Sequence, residues 1–139
     1  MDRFLEYLSH HPWLSTGTAV VAALLAVYEL RTQSENRTSV SPQDLIRLMA
    51  QGALLLDLRP AEQYRLGHVA GARQIDGPEI LKAADTLKKY KEKPVVVYDD
   101  TGSLTGSAVR QLASQGFTRA VALKGGLAAW RAENQPLVR

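Results

Sequence analysis

The stretch Pro94-Val95-Val96-Val97-Tyr98 runs directly into Asp99-Asp100-Thr101-Gly102-Ser103-Leu104. The β-branched run predicts a buried strand, and the segment after it predicts a short loop before a helix that begins near Thr105. In an open parallel α/β sheet, this order places the loop at the carboxyl edge of the sheet, where ligand sites form. The backbone amides of such a loop can point inward and hold an anion. The stretch therefore predicts an α/β domain with a candidate site at residues 99–104.

Three further motifs accompany this loop. They are Asp57-Leu58-Arg59-Pro60-Ala61-Glu62-Gln63-Tyr64, Gly67-His68-Val69-Ala70-Gly71-Ala72 and Lys124-Gly125-Gly126-Leu127-Ala128-Ala129-Trp130. In this order and at these spacings, the segments resemble the rhodanese-homology (sulfurtransferase) domain. The resemblance covers residues 37–138. It implies an open parallel sheet flanked by helices, with the domain at residues 40–139.

The candidate site departs from that family at two positions. The resemblance implies that Asp99 occupies the position of the cysteine that carries the persulfide in active members. Leu104 stands where active members commonly have an arginine that holds the anionic substrate. The chain has no cysteine, and a carboxylate cannot form and release a persulfide, because that reaction needs a soft nucleophile of low pKa. We therefore expect no catalytic residue, no cofactor and no metal.

The aspartates of the loop permit two interpretations. In the first, their negative charge opposes anion binding, Asp99 or Asp100 accepts hydrogen bonds from the loop's own amides, and Thr101 or Ser103 caps the following helix. A small-molecule ligand is then not expected. In the second, Asp99 is a phosphoryl acceptor, or a metal ligand together with Asp100, and the domain is an altered enzyme or an anion- or metal-binding domain. No recognisable motif supplies a third acid or a partner lysine for this second interpretation.

The resemblance also implies a structural polar network near the first motif. Its members are Asp57, Arg59, Glu62 and His68. We expect His68 to be a hydrogen-bonded packing residue rather than a ligand, because a lone histidine is more often of that kind.

Composition restricts the classes of protein that remain. The chain has 139 residues, of which 45% are hydrophobic and 22% charged, which suits one domain of roughly 100 residues with an appendage. The net charge of +3 is mildly basic, and no aromatic residues alternate with a basic stripe, so nucleic acid is not an expected partner.

The appendage at residues 1–31 has the composition of a transmembrane anchor. Residues 7–28 contain no Asp, Glu, Lys or Arg, and a helix of that length spans about 33 Å, enough to cross a bilayer. Two other interpretations remain open. A cleavable signal peptide is disfavoured by Asp2 and Glu6, which oppose the positive charge such a segment carries. A buried helix of the domain is disfavoured by the polar segment 32–39, which we interpret as a linker.

Flanking charge predicts how the anchor is oriented. Arg31, Arg37 and Arg47 follow the span, whereas only Arg3 precedes it, so the domain is expected on the cytoplasmic side of a bacterial inner membrane. Similar membrane-anchored rhodanese-like proteins occur in bacteria.

The anchor also carries a candidate packing face. Thr18, Ala22 and Ala26 recur every four residues and offer a face for another transmembrane helix, although alanine is common in such helices in any case. The expected partners are the bilayer and other membrane proteins.

Hydrophobic periodicity predicts the remaining elements. Ser41 and Pro42 are expected to begin a helix that ends near residues 51–52. Strands are expected at 53–58 and 120–123, and helices at 61–66, 78–90, 105–115 and 127–132. One face of the helix predicted at 78–90 is basic, and it faces either solvent or anionic lipid head groups.

Overall fold

The computed structural model of the chain describes residues 2, 3, 6 and 10–139, with side chains for all of these except 34–36. The chain forms two compact units, residues 1–37 and 38–139. The first unit contains helix α1 (Pro12–Arg37). The second unit contains every strand of the described residues.

Helix α1 is long and apolar enough, by length and composition, to cross a membrane. The qualifying segment is Pro12–Gln33, with a mean hydropathy of 1.5 and none of it buried. Residues 7–9, where the predicted span begins, lie outside the described residues. Residues 32–37 are helical, although the sequence predicts a polar linker there. These residues include no glycine or proline, so nothing in them stops a helix that is already propagating.

The second unit is a parallel α/β domain, as predicted. Its sheet has the strand order β1-β5-β4-β2-β3, and all neighbouring strands are parallel. Strand β4 therefore lies at the centre. In chain order the elements are β1 (Ser39–Val40), α2 (Pro42–Ala50), β2 (Leu54–Asp57), α3 (Ala61–Leu66), β3 (Arg73–Gln74), a 3-10 helix (Gly77–Lys82), α4 (Ala83–Thr86), a second 3-10 helix (Lys88–Tyr90), β4 (Val95–Tyr98), α5 (Thr105–Ser114), β5 (Ala120–Leu123) and α6 (Gly126–Ala132).

Both faces of the sheet are covered. Val95 and Val97 point into a core that α5 and the segment 77–90 complete, whereas Val96 and Tyr98 point into a second core with α2 and α6. All four residues of β4 are buried. This two-sided burial explains why β2 and β4 read as continuous hydrophobic runs without alternation.

The segment predicted as one helix at 78–90 is broken into three short pieces, so that prediction is wrong. The carboxamide of Gln115 enters the helical ladder: its Nε2 donates to the carbonyl of Ile80 at 2.6 Å, and its Oε1 accepts from the amide of Ala84 at 2.8 Å. In a continuous α-helix, these two backbone groups would bond to each other. A side chain inserted between them interrupts the helix while satisfying both groups.

Candidate functional site

The loop 99–104 lies at the carboxyl end of the central strand β4, where the sequence places it. Its backbone is bonded to the start of α6: the Leu127 amide donates to the Asp99 carbonyl at 2.8 Å, and the Ala128 amide donates to the Asp100 carbonyl at 3.0 Å. Gly126 has a φ of +60°, and a Cβ there would lie 2.6 Å from the Asp99 carbonyl oxygen. A glycine at position 126 is therefore needed for the loop to approach α6.

The side chain of Asp99 occupies the inside of the loop. It is 5% exposed, and its carboxylate accepts from the amides of Gly102 and Leu104, the latter at 2.9 Å. The Ser103 hydroxyl lies 3.4 Å from the same carboxylate. These donors are the ones that an anion in the loop would use. The negative charge and the hydrogen-bonding role of an anion are thus supplied by the chain itself.

The other loop side chains lie outside this arrangement. Asp100 is 58% exposed, and its carboxylate lies 3.7 Å from Nη1 of Arg59. Leu104 is 64% exposed and is the N-cap residue of α5, to which its side chain gives no cap hydrogen bond. Neither Thr101 nor Ser103 caps that helix; instead the Thr105 hydroxyl donates to the Gly102 carbonyl at 2.9 Å. The prediction that Thr101 or Ser103 caps the helix after the loop is therefore wrong.

A buried ion pair lies next to the loop. Arg59 donates to Asp57 through Nε at 3.1 Å and Nη2 at 2.9 Å, and Nη2 also donates to the Gly67 carbonyl at 2.6 Å. The Tyr98 hydroxyl donates to the same carboxylate at 2.7 Å and accepts from the Val69 amide at 3.2 Å. Sequence reasoning missed Tyr98 as a member of this network, because in the sequence it reads only as the last residue of a buried strand.

The network changes the pKa values of two of its members. Burial raises the pKa of Tyr98 far above the usual value for a tyrosine, and the hydrogen bond to Asp57 raises it further. Burial would lower the pKa of the Arg59 guanidinium, but the hydrogen bond to Asp57 and the charge of Asp57 outweigh burial, and the pKa is raised. Both groups therefore hold their protons throughout the physiological range.

Two residues expected in the network lie elsewhere. Glu62 is exposed, and among the described residues its side chain has no hydrogen bond or ion pair with Asp57 or Arg59. The ring of His68 stacks on Tyr64 with 3.8 Å between centroids, and its Nδ1 lies 2.8 Å from the Tyr64 carbonyl. The His68 backbone pairs with Val138. His68 is thus a packed residue that joins α3 to the C-terminal segment.

The first unit carries the remaining candidate residues. Thr18, Ala22 and Ala26 are exposed on α1, and their spacing places them on one face of the helix. The Thr18 hydroxyl donates to the Leu14 carbonyl at 2.9 Å. This bond satisfies the hydroxyl within the helix.

Two other features bear on ligand binding. Across the residues that the structure describes, no three His, Asp or Glu side chains converge as metal ligands would. A cavity of about 440 Å³ lies beside the edge strand β3, lined in part by Arg73, Ile75, Lys82 and Leu87. No residue of the loop 99–104 lines it.

The chain is similar to known proteins over both units. A family model described as the rhodanese-like domain matches residues 41–133. Over 142 residues the chain is 31% identical to the Escherichia coli (strain K12) protein named "Uncharacterized protein YibN", covering 100% of this chain and 99% of that protein. It is 33% identical over 96 residues to the thiosulfate sulfurtransferase GlpE of Ectopseudomonas mendocina, covering 67% of this chain and 84% of that enzyme. The solved rhodanese-like domain of the Alr3790 protein from Anabaena sp. superposes with a TM-score of 0.63 at 30% identity, covering 73% of this chain and 78% of that one.

Proposed function

The chain belongs to the rhodanese-like domain family, and from this premise we propose that it is a membrane-anchored pseudoenzyme that acts as a protein-interaction or scaffold module. The observation that carries the proposal is the position of Asp99. Its carboxylate fills the loop and accepts from the amides of Gly102 and Leu104. The loop thereby loses both the nucleophile and the donors for an anionic substrate.

The chemistry of sulfur transfer supports the non-catalytic part of this proposal. Transfer requires a thiolate that attacks a sulfane sulfur and holds it covalently, and the chain has no cysteine. A second requirement is a positive contact for the anion. Leu104, at the family's arginine position, offers none. Arg59, whose Nη1 lies 3.7 Å from the Asp100 carboxylate, is hydrogen-bonded to Asp57.

The composition of α1 supports the membrane-anchored part. The segment Pro12–Gln33 is apolar, and none of it is buried, so residues such as Leu24 and Leu25, which are more than half exposed, need an apolar surrounding. We place this surrounding in a bacterial inner membrane, with the domain on the cytoplasmic side, because arginines are more numerous after the span. The bilayer and other membrane proteins are then the partners.

The first test is a sulfurtransferase assay from thiosulfate to cyanide with the detergent-purified full chain. We expect no turnover from the wild type, and little from Asp99→Cys, because the anion contact is still missing. Asp99→Cys/Leu104→Arg supplies both groups and should exceed the single variant. Turnover by the wild type above a heat-inactivated control would refute the proposal. Full activity of the single variant would refute the role assigned to Leu104.

The same preparation tests the competing hypothesis that Asp99 is a phosphoryl acceptor or a metal ligand. Acetyl phosphate, as a phosphoryl donor, should leave the mass of the chain unchanged, and magnesium should not change its unfolding temperature. A mass increase of one phosphoryl group that is lost in Asp99→Asn would establish the enzymatic alternative and overturn ours.

The second test concerns the interaction surface on α1. Ala22→Leu enlarges the central residue of the small-residue face without reducing hydrophobicity, so insertion should persist while association with membrane partners falls. The matched control is Val21→Leu, which adds bulk outside the Thr18, Ala22 and Ala26 positions. The measurement is the amount of crosslinked membrane protein recovered at equal levels of inserted chain. Equal recovery from both variants would remove this face from the proposal and leave the domain as the interaction surface.

A further inference from the structure

Lysine is concentrated in one segment of the domain. Five of the six lysines in the chain lie between residues 82 and 93, where the only acidic residues are Asp85 and Glu92. The segment contains the broken helix and the turn before β4. Together with Arg73 on the edge strand β3, the exposed Lys88, Lys89 and Lys93 define what we call the basic patch.

Tyr90 is at the centre of this patch. Nζ of Lys89 lies 5.1 Å from the centroid of its ring, Nζ of Lys93 lies 5.7 Å from it, and the Arg73 guanidinium carbon lies 5.5 Å from it. The Arg73 guanidinium also donates to the Tyr90 hydroxyl at 3.1 Å. The face of a tyrosine ring attracts cations. One ring therefore gathers three positive groups into a small area.

These positive charges are not neutralised within the domain. Among the described residues, the three ion pairs involve Arg47 and Arg59, and none involves a residue of the patch. Asp85 and Glu92 are the acids within this lysine-rich segment, and neither forms an ion pair with the patch. Like charges held this close repel one another, so an external anion that neutralised them would be bound favourably.

We propose that the basic patch binds anionic lipid head groups, an inference that rests on the membrane anchoring proposed above. The covalent connection favours lipid over other polyanions. Helix α1 ends at Arg37 and β1 begins at Ser39, so a domain anchored by this helix is confined beside the head groups, whose effective concentration is high. Each lysine near an anionic surface strengthens binding by roughly fivefold. Contact between the patch and the lipid would fix which surface of the domain remains open to partners.

The test uses the full chain in nanodiscs, and the absence of native cysteine allows single-site labelling. A donor fluorophore is attached to Thr86→Cys, beside the patch, or to Gln63→Cys on α3, whose neighbour Tyr64 packs on the opposite face of the sheet. Energy transfer to an acceptor on lipid head groups is compared in phosphatidylcholine alone and with 30% phosphatidylglycerol. We expect phosphatidylglycerol to raise transfer at Thr86→Cys only, and 0.5 M sodium chloride to remove the increase.

Two double variants that remove equal charge test whether the basic patch is the surface that binds the lipid. Lys89→Gln/Lys93→Gln should lower the ratio of lipid-bound to unbound domains about 25-fold, from two lysines at roughly fivefold each. Arg65→Gln/Arg131→Gln removes the same charge from exposed positions outside the patch and should leave the increase in transfer intact. If both double variants reduced the increase in energy transfer equally, or if phosphatidylglycerol did not change the transfer at all, lipid binding by the basic patch would be refuted. The membrane anchor would not be refuted by either result. A chain that did not co-purify with nanodiscs would refute the anchor and the inference together.

Discussion

Replacement of Asp99 by alanine should destabilise the domain, because this carboxylate holds the loop together from inside. The variant leaves the amides of Gly102 and Leu104 and the hydroxyl of Ser103 without their acceptor. A hydrogen bond to a charged acceptor contributes about 1.5 to 3 kcal/mol, and water entering the vacated loop recovers part of that. We therefore expect Asp99→Ala to lower the free energy of unfolding by about 2 to 3 kcal/mol.

Two neighbouring variants serve as controls. In Asp99→Asn one carboxylate oxygen becomes an NH₂ donor, so one of the two backbone amides faces a donor instead of an acceptor. The free energy of unfolding of Asp99→Asn should lie between those of the wild type and Asp99→Ala. Asp100→Ala removes an equal charge from a side chain that is 58% exposed and 3.7 Å from Arg59. Its loss should stay below about 1 kcal/mol, as for other exposed ion pairs.

The assay is urea unfolding of the fragment 37–139, which we expect to fold alone because residues 38–139 form a compact unit. With a slope near 1.3 kcal/mol per M, the midpoint for Asp99→Ala should fall by about 2 M. Freed amides should also bind anions, so 10 mM thiosulfate should stabilise Asp99→Ala more than the wild type. If Asp99→Ala cost no more than Asp100→Ala, and thiosulfate had no selective effect, the reasoning that Asp99 occupies the anion position would be wrong.

The remaining predictions concern the packing next to the loop. Tyr98→Phe removes the bond to Asp57 and leaves the buried Val69 amide unpaired, and should cost about 2 to 3 kcal/mol in the same assay. Because the pKa of Tyr98 is raised in the folded state from its ordinary value of 10.0, the unfolded state loses this proton first. The free energy of unfolding should therefore fall as pH rises above 10, and it should fall less in Tyr98→Phe. The same dependence on pH in the wild type and in Tyr98→Phe would contradict this prediction. Gly126→Ala should cost more than 2 kcal/mol, because its Cβ would clash with the loop, whereas Gly52→Ala, also at positive φ but with no atom within 4 Å of the added Cβ, should cost about 1 kcal/mol. Equal losses for the two glycine variants would contradict the close approach.

Several elements could be predicted from the sequence because their signals are local. Ser41 caps α2 as expected, with its hydroxyl oxygen accepting from the Asp44 amide at 3.2 Å. The helix at Ala61–Leu66 and the strand at Ala120–Leu123 have the predicted bounds. The loop 99–104 follows a hydrophobic run of strand length, and such a run at the centre of an α/β pattern is sufficient to locate a site at the carboxyl edge.

The sequence by itself determined the parallel α/β domain, the apolar helix before it and the absence of a thiol. Hydrophobic runs and composition are properties of the sequence that do not depend on which residues meet in space. The tertiary structure decided which polar groups meet. Asp57 and Tyr98 are 41 residues apart and become neighbours only through the register of β2 on β4. Gln115 breaks a helix more than 30 residues before it. Periodicity reports whether a residue is buried, but a buried polar atom takes whichever partner the packing brings within about 3 Å, and that partner depends on strand order and register.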